Sequence, residues 1–169
     1  DLSQRGASLP STAKLDDIIF SQDIVFVGGG NTKSMLAVWK DWGLVQILKE
    51  AYEAGTIMCG VSAGAICWFE NGITDSWADE LKFIDCLGFV PGSCCPHYDE
   101  EPERRPALNN FLSEGALENC NAIDGGCALH IKDGGVHKAI VFAQDKNAYL
   151  VHQHEQEIVE SPYLREEIF

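Results

Sequence analysis

Positive charge is scarce in this 169-residue chain: 12 Lys and Arg stand against 26 Asp and Glu, a formal charge of −14. So acidic a surface repels a phosphate backbone, which argues against nucleic acid and means that an anionic substrate would need a local basic pocket. Long apolar runs are missing as well. Nothing approaches the roughly 18 consecutive apolar residues of a membrane-spanning helix, and Asp1-Leu2-Ser3-Gln4-Arg5-Gly6 lacks the basic-then-apolar profile of a signal peptide, so no membrane partner is expected. The seven cysteines include no C-x-x-C pair, and their odd number and apolar surroundings predict reduced, cytoplasmic thiols without a disulfide framework. The vicinal Cys94-Cys95 pair reads as two small hydrophobes in preference to a redox couple. His152 and His154 alternate along a strand-like segment with neither a nearby cysteine nor paired carboxylates, which speaks against a metal site.

What is present is an ordinary globular balance, 46% hydrophobic and 22% charged, enough for one domain with a proper core. Asp23 to Val27 is a short apolar strand closed by Gly28-Gly29-Gly30, after which Asn31 or Thr32 can cap a helix. Apolar residues then recur at helical spacing from Ser34 to Ala54, broken at Gly43 and stopped at Gly55. Thr56 to Val61 is a second strand and Ala63 to Phe69 a second helix. This β-loop-α-β-turn-α order predicts an α/β fold with parallel strands and helices on the sheet faces. After Asn71-Gly72 the pattern turns irregular and predicts a loop-rich segment through Glu80, with Pro91-Gly92 as a turn. A helix is expected over Pro106 to Leu117. Short, antiparallel strands are expected at Ala128 to Ile131, Val136 to Phe142, Ala148 to His152 and Glu157 to Val159.

Gly60-Val61-Ser62-Ala63-Gly64 places a serine between small residues at a strand-to-helix seam. A nucleophile at such a turn needs small neighbours because its backbone is strained and other segments pass close by. The Ala63 amide points toward an oxyanion formed beside the hydroxyl, and the loop Gly28-Gly29-Gly30 is placed to supply a second donor. That loop matches neither G-x-G-x-x-G nor the lysine-containing P-loop, which argues against nucleotide binding. A serine nucleophile also needs a base. Among five histidines, His97 in Cys95-Pro96-His97-Tyr98-Asp99 sits where a loop begins, whereas His130, His137, His152 and His154 fall in strand-like alternation.

Val27-Gly28-Gly29-Gly30-Asn31-Thr32, Gly60-Val61-Ser62-Ala63-Gly64-Ala65, Thr74-Asp75 and Pro96-His97-Tyr98, taken together, resemble the serine peptidases of family S51, which include dipeptidase E and cyanophycinase. The resemblance runs from about residue 20 to the end. It implies a class I glutamine amidotransferase-like fold: a three-layer αβα sandwich on a mainly parallel sheet, one domain over residues 1–169. Family members carry further strands and a helix ahead of the Gly-Gly-Gly-Asn-Thr motif, so the resemblance also implies a domain incomplete at its amino end. It assigns Ser62 as nucleophile, His97 as base and Asp75 as acid, with Glu70, Asp79 and Glu80 as alternatives for the acid. Gly30 and Ala63 become the oxyanion donors, Asn31 lies by the substrate, and Arg104 or Arg105 holds a substrate carboxylate through paired hydrogen bonds.

The implied reaction is hydrolysis of small acidic peptides, above all dipeptides with amino-terminal aspartate, through an acyl-enzyme and without metal or organic cofactor. A homodimer stays open. Two rivals remain: an α/β-hydrolase-type esterase, whose histidine would be His152 or His154, and a catalytically silent binding module that keeps the turn for packing alone.

Overall fold

The computed structural model describes residues 14–77 and 80–168. In chain order the elements are α1 (Leu15–Phe20), β1 (Ile24–Val27), α2 (Thr32–Asp41), α3 (Leu44–Glu53), β2 (Ile57–Gly60), α4 (Ala63–Ile66), β3 (Phe69–Trp77) and β4 (Glu80–Asp85). Then come β5 (Val90–Cys95), α5 (Arg104–Ser113), β6 (Asn119–Ile123), β7 (Cys127–Lys132), β8 (Gly135–Val141), β9 (Ala148–His154), β10 (Glu157–Pro162) and β11 (Arg165–Glu167).

The amino-terminal half follows local chemistry closely. The β-branched run of β1 pairs in parallel with β2, from Ile24 opposite Ile57 to Val27 opposite Gly60. Asn31 caps α2, its side-chain oxygen accepting from the Ser34 amide at 2.9 Å, as a short polar residue ahead of a helix does. Gly43, with φ of 69°, lets the chain break between α2 and α3 where a side chain would be strained.

The sheet is mixed rather than mainly parallel. β3, β5 and β6 run parallel as neighbours, but β4 is antiparallel to β3, and β9 and β10 continue antiparallel beyond β6. β7 and β8 form an antiparallel hairpin, with β11 parallel to β8. Two segments differ from the sequence expectation for physical reasons. The stretch after Asn71 is strand, because Gly72 lies directly against Ile66, where any side chain would collide, and Ile73 and Thr74 are buried. Pro91-Gly92 sits inside β5 as a bulge, the two residues standing opposite Glu70 alone where the register with β3 shifts. Helix α4 is correspondingly shorter than expected and ends at Ile66, with Phe69 already in β3.

Two apolar clusters hold the layers. One joins Leu48, Ile66, Trp68 and Phe69 beside α3 and α4; the other packs Ile73, Tyr98, Leu108, Leu112 and Val151 beneath α5. Cys94, Cys95 and Cys120 are completely buried, and burial pushes the Cys95 thiol up to about 12 and those of Cys94 and Cys120 well above their ordinary range. Thiols in that state behave as hydrophobes. Among the described residues no helix is long and apolar enough to cross a membrane.

This framework brings three chain segments together. β2 leads into Ser62, β5 into His97 and β6 into Asp124. Because Cys95 pairs with Ala122 in a parallel ladder, the last two residues leave the sheet side by side at its carboxyl edge, where open α/β sheets bind ligands.

Candidate active site

Ser62 has φ of 56° and ψ of −119°, outside the regions an L-residue normally occupies. The close packing around it leaves the chain no alternative. A methyl group on Gly64 would overlap the Val27 carbonyl, and one on Gly60 would lie 2.6 Å from the same oxygen and overlap the Gly64 carbonyl. The two glycines therefore let α4 start directly against the end of β1, and the turn between them must be sharp. The Gly28-Gly29-Gly30 loop closes in from the other side: the Cβ position of Gly29 is 3.3 Å from the Ser62 Cβ. Among the described residues the amides of Gly30 and Ala63 make no hydrogen bond; Ala63 follows the serine directly, and Gly30 follows the Gly29 that packs against it.

The His97 ring spans two partners. Its Nε2 lies 3.0 Å from Ser62 Oγ and its Nδ1 lies 2.8 Å from Glu100 Oε2. His97 also has a strained backbone, with φ of 55°, so both members of the contact sit in conformations that only surrounding structure can impose.

That structure is a zipper between residues 98–100 and 123–125. The Tyr98 amide donates to the Ile123 carbonyl at 3.0 Å, and the Gly125 amide donates to Asp99 Oδ1 at 2.7 Å. Lys146 closes the other oxygen of Asp99. Burial alone would raise Asp99, but the hydrogen bonds from Lys146 and Gly125 outweigh it and hold the carboxyl below its usual range. A methyl group on Gly125 would overlap the Glu100 carboxylate, so a side chain there would have to push Glu100 away from His97.

A second carboxylate shares the cavity. Asp124 is only 6% exposed and its Oδ2 accepts from the Asn147 amide at 3.0 Å, while Oδ1 is buried with no hydrogen-bond partner. Burial pushes its carboxyl above the usual range. Neither Glu100 nor Asp124 was singled out by sequence reasoning. The first lies three residues from its histidine in a run of acids that reads as a solvated turn, and the second resembles any Asp-Gly-Gly turn.

The other residues expected at the site, including the expected acid Asp75, are distributed differently. Asp75 is exposed on β3 and makes no hydrogen bond to His97; Glu100 occupies the Nδ1 position instead, because the turn after β5 folds it back onto the ring. Of the alternative acids, Glu70 accepts from the Gly92 amide at 2.7 Å and Glu80 pairs with Lys82 at 2.7 Å, while Asp79 lies outside the described residues. Asn31 has both ends of its amide in use, the oxygen on Ser34 and the nitrogen donating to the Ser76 carbonyl at 3.1 Å. Arg104 is 2% exposed and bonds Glu101 at 2.6 Å and the Ile73 carbonyl at 3.0 Å, a structural tie between α5 and β3. Arg105 is more open. It stacks 4.2 Å from the centre of the Tyr98 ring and bonds Glu160, to which Tyr98 also donates at 2.6 Å.

Ser62, His97, Glu100 and Asp124 line one cavity of about 620 Å³. A serine bonded to an imidazole, with free amides at its side, is the arrangement that nucleophilic acyl transfer requires. Residues 6–139 match the profile of peptidase family S51. The chain belongs to that family. Its relatives include the uncharacterized peptidase YgaJ of Bacillus subtilis strain 168, 44% identical over 153 residues, covering 90% of this chain and 66% of the relative. Peptidase E of Pasteurella multocida is 27% identical, over 82% of this chain and 65% of its own length. A crystal structure of a candidate peptidase E from Listeria monocytogenes EGD-e superposes with a TM-score of 0.53 at 19% identity, over 92% of this S51 chain and 67% of that one, which shows a shared fold. The S51 chain thus spans about two thirds of the length of the relatives it matches.

Proposed function

We propose that this chain is a serine peptidase that hydrolyses short peptides carrying an amino-terminal aspartate. The observation that carries the reading is the 3.0 Å contact between Ser62 Oγ and His97 Nε2, at a turn whose close packing holds the serine in a strained backbone conformation.

In this mechanism His97 takes the Ser62 proton as Oγ attacks the scissile carbonyl, and the Gly30 and Ala63 amides receive the oxyanion. Glu100 holds the Nδ1 proton, which fixes the tautomer and stabilises the imidazolium as it forms. The imidazolium then protonates the departing amine; water, deprotonated by the same ring, releases the acyl group and restores Ser62. Arg105 is the guanidinium available to a substrate carboxylate, which would exchange with Glu160 for its two parallel hydrogen bonds. Both ring-nitrogen contacts of His97 are already engaged by Ser62 and Glu100, which favours this reading over an esterase using His152 or His154. His152 lies within β9, between β6 and β10.

The test is hydrolysis of Asp-Leu, isoAsp-Leu and Ala-Leu, together with labelling by a fluorophosphonate that reacts only with an activated serine. Labelling and aspartyl cleavage, both lost in Ser62→Ala, are expected. A folded chain that neither labels nor cleaves would identify a silent binding module.

A further inference from the structure

Three loops meet beside His97. The turn after β5 carries Asp99 and Glu100, the turn after β6 carries Asp124, and the loop between β8 and β9 carries Lys146. Backbone groups tie the loops in pairs: the Tyr98 amide donates to the Ile123 carbonyl at 3.0 Å, the Asp124 amide donates to the Asn147 carbonyl at 3.1 Å, and the Asn147 amide returns to Asp124 Oδ2 at 3.0 Å. One side chain joins all three. Asp99 accepts from the Gly125 amide on Oδ1, at 2.7 Å, and from Lys146 Nζ on Oδ2.

The effect of that junction reaches the histidine through Glu100. Asp99 is its chain neighbour, and Gly125, the donor to Asp99, sets its bare Cα against the Glu100 carboxylate. Glu100 Oε2 in turn lies 2.8 Å from His97 Nδ1. The Glu100 side chain is half exposed, so core packing does not choose its rotamer, and a long flexible side chain stays in one place only where its surroundings confine it. Here the confining pieces are the turn that Asp99 anchors and the glycine that Asp99 holds.

Charge makes the junction depend on Lys146. Asp99, Glu100 and Asp124 crowd three carboxylates beside one imidazole, in a chain whose formal charge is already −14. The bond to Asp99 first, then the charges of Asp99, Asp124 and Glu100, hold the Lys146 ammonium above its ordinary range, so it stays charged among them. Without that cation the repulsion between Asp99 and its two acidic neighbours favours swinging Asp99 into solvent and releasing Gly125.

We propose that Lys146 is a positioning residue for His97: by holding Asp99 on Gly125, it fixes the turn from which Glu100 meets Nδ1. Lys146 acts through Asp99 and touches neither substrate nor the reacting atoms. Its effect on turnover rests on the peptidase reading above, whereas its effect on the imidazole is readable with no substrate present.

The experiment compares the full chain with Lys146→Ala and with Lys146→Arg, which keeps a cation and donors for Asp99. With Asp-Leu, Lys146→Ala is expected to lower kcat about tenfold and to leave KM within about twofold, because the lost contact orients the base and does not bind substrate. Lys146→Arg should recover most of that loss. Thermal midpoints should stay close to the parent's in both variants, since a partly exposed ion pair adds little to folding stability. The second readout is the nitrogen shifts of the neutral His97 ring, measured by NMR through its carbon-bound protons. They should place the proton on Nδ1 in the parent and in Lys146→Arg, and show a mixture of both tautomers in Lys146→Ala. Unchanged ring nitrogens in Lys146→Ala, an unchanged kcat in an active chain, a loss confined to KM, or a loss that Lys146→Arg fails to recover would each overturn the proposal. A parent that neither cleaves Asp-Leu nor labels with the fluorophosphonate, yet whose ring nitrogens depend on Lys146 in this way, would instead sink the peptidase reading and leave the positioning role standing.

Discussion

The two halves of the Ser62–His97 contact are built by opposite means. On the serine side everything is backbone and small residues: Gly60 and Gly64 lie against Val27, and Gly29 lies against Ser62 itself. On the histidine side the work falls to polar groups distant in the chain, with Asp99 bonding Gly125 and Lys146, and Glu100 bonding the ring. Steric exclusion leaves one conformation and tolerates almost no substitution. A polar zipper tolerates more, but its geometry depends on how each carboxylate is charged. The serine side should therefore fail by unfolding or by loss of the reacting atom, and the histidine side by graded loss of function.

Ser62→Ala sharpens that contrast most, since it removes the proposed nucleophile while keeping the turn. Turnover of Asp-Leu should fall by roughly 10⁴-fold or more, with an unchanged thermal midpoint. Gly64→Ala asks whether steric exclusion is real. Pressing a methyl group into the Val27 carbonyl should cost about 3 kcal/mol and lower Tm by roughly 10 °C; a midpoint equal to the parent's would break the account of the turn. On the other side, Glu100→Gln should lower kcat/KM by roughly a hundredfold with little change in Tm, and Asp75→Asn should leave kcat/KM within about twofold. The reverse pattern would return the acid's role to Asp75.

The smallest effect concerns Asp124, and its sign follows from linkage. Burial raises this carboxyl above its unfolded value of 3.8, so its stabilising contribution is complete below that pH and is lost as the pH rises through the folded value. Asp124→Asn should consequently melt higher than the parent at neutral pH. The difference should close below about pH 4, as read by thermal melts across a pH series. A parent that is the more stable at neutral pH would show that the ionised carboxylate has a partner that offsets its burial.

The strands around the glycine motifs were readable because local chemistry decides them. A β-branched run ending in three glycines, and a serine flanked by glycine and alanine, admit few conformations whatever surrounds them. β3 and β5 were not readable: Gly72 and Pro91-Gly92 carry turn signals, and they lie in strands because Ile66 packs where a side chain of residue 72 would be and a register shift between β3 and β5 accommodates Pro91-Gly92. Arg104 and Arg105 show the same limit. They are adjacent and chemically alike, yet one is locked in the interior on Glu101 and Ile73 while the other stacks half-open on Tyr98.

Sequence alone pointed to Ser62, His97 and the glycine loop, because the turns that carry them depend on residue size and backbone freedom within a few positions. Tertiary structure decided which carboxylate meets His97, which arginine stays accessible and that Lys146 closes on Asp99 from a distant loop. Those outcomes depend on which strands become neighbours, and burial and pairing between distant segments are written in no short stretch of the chain.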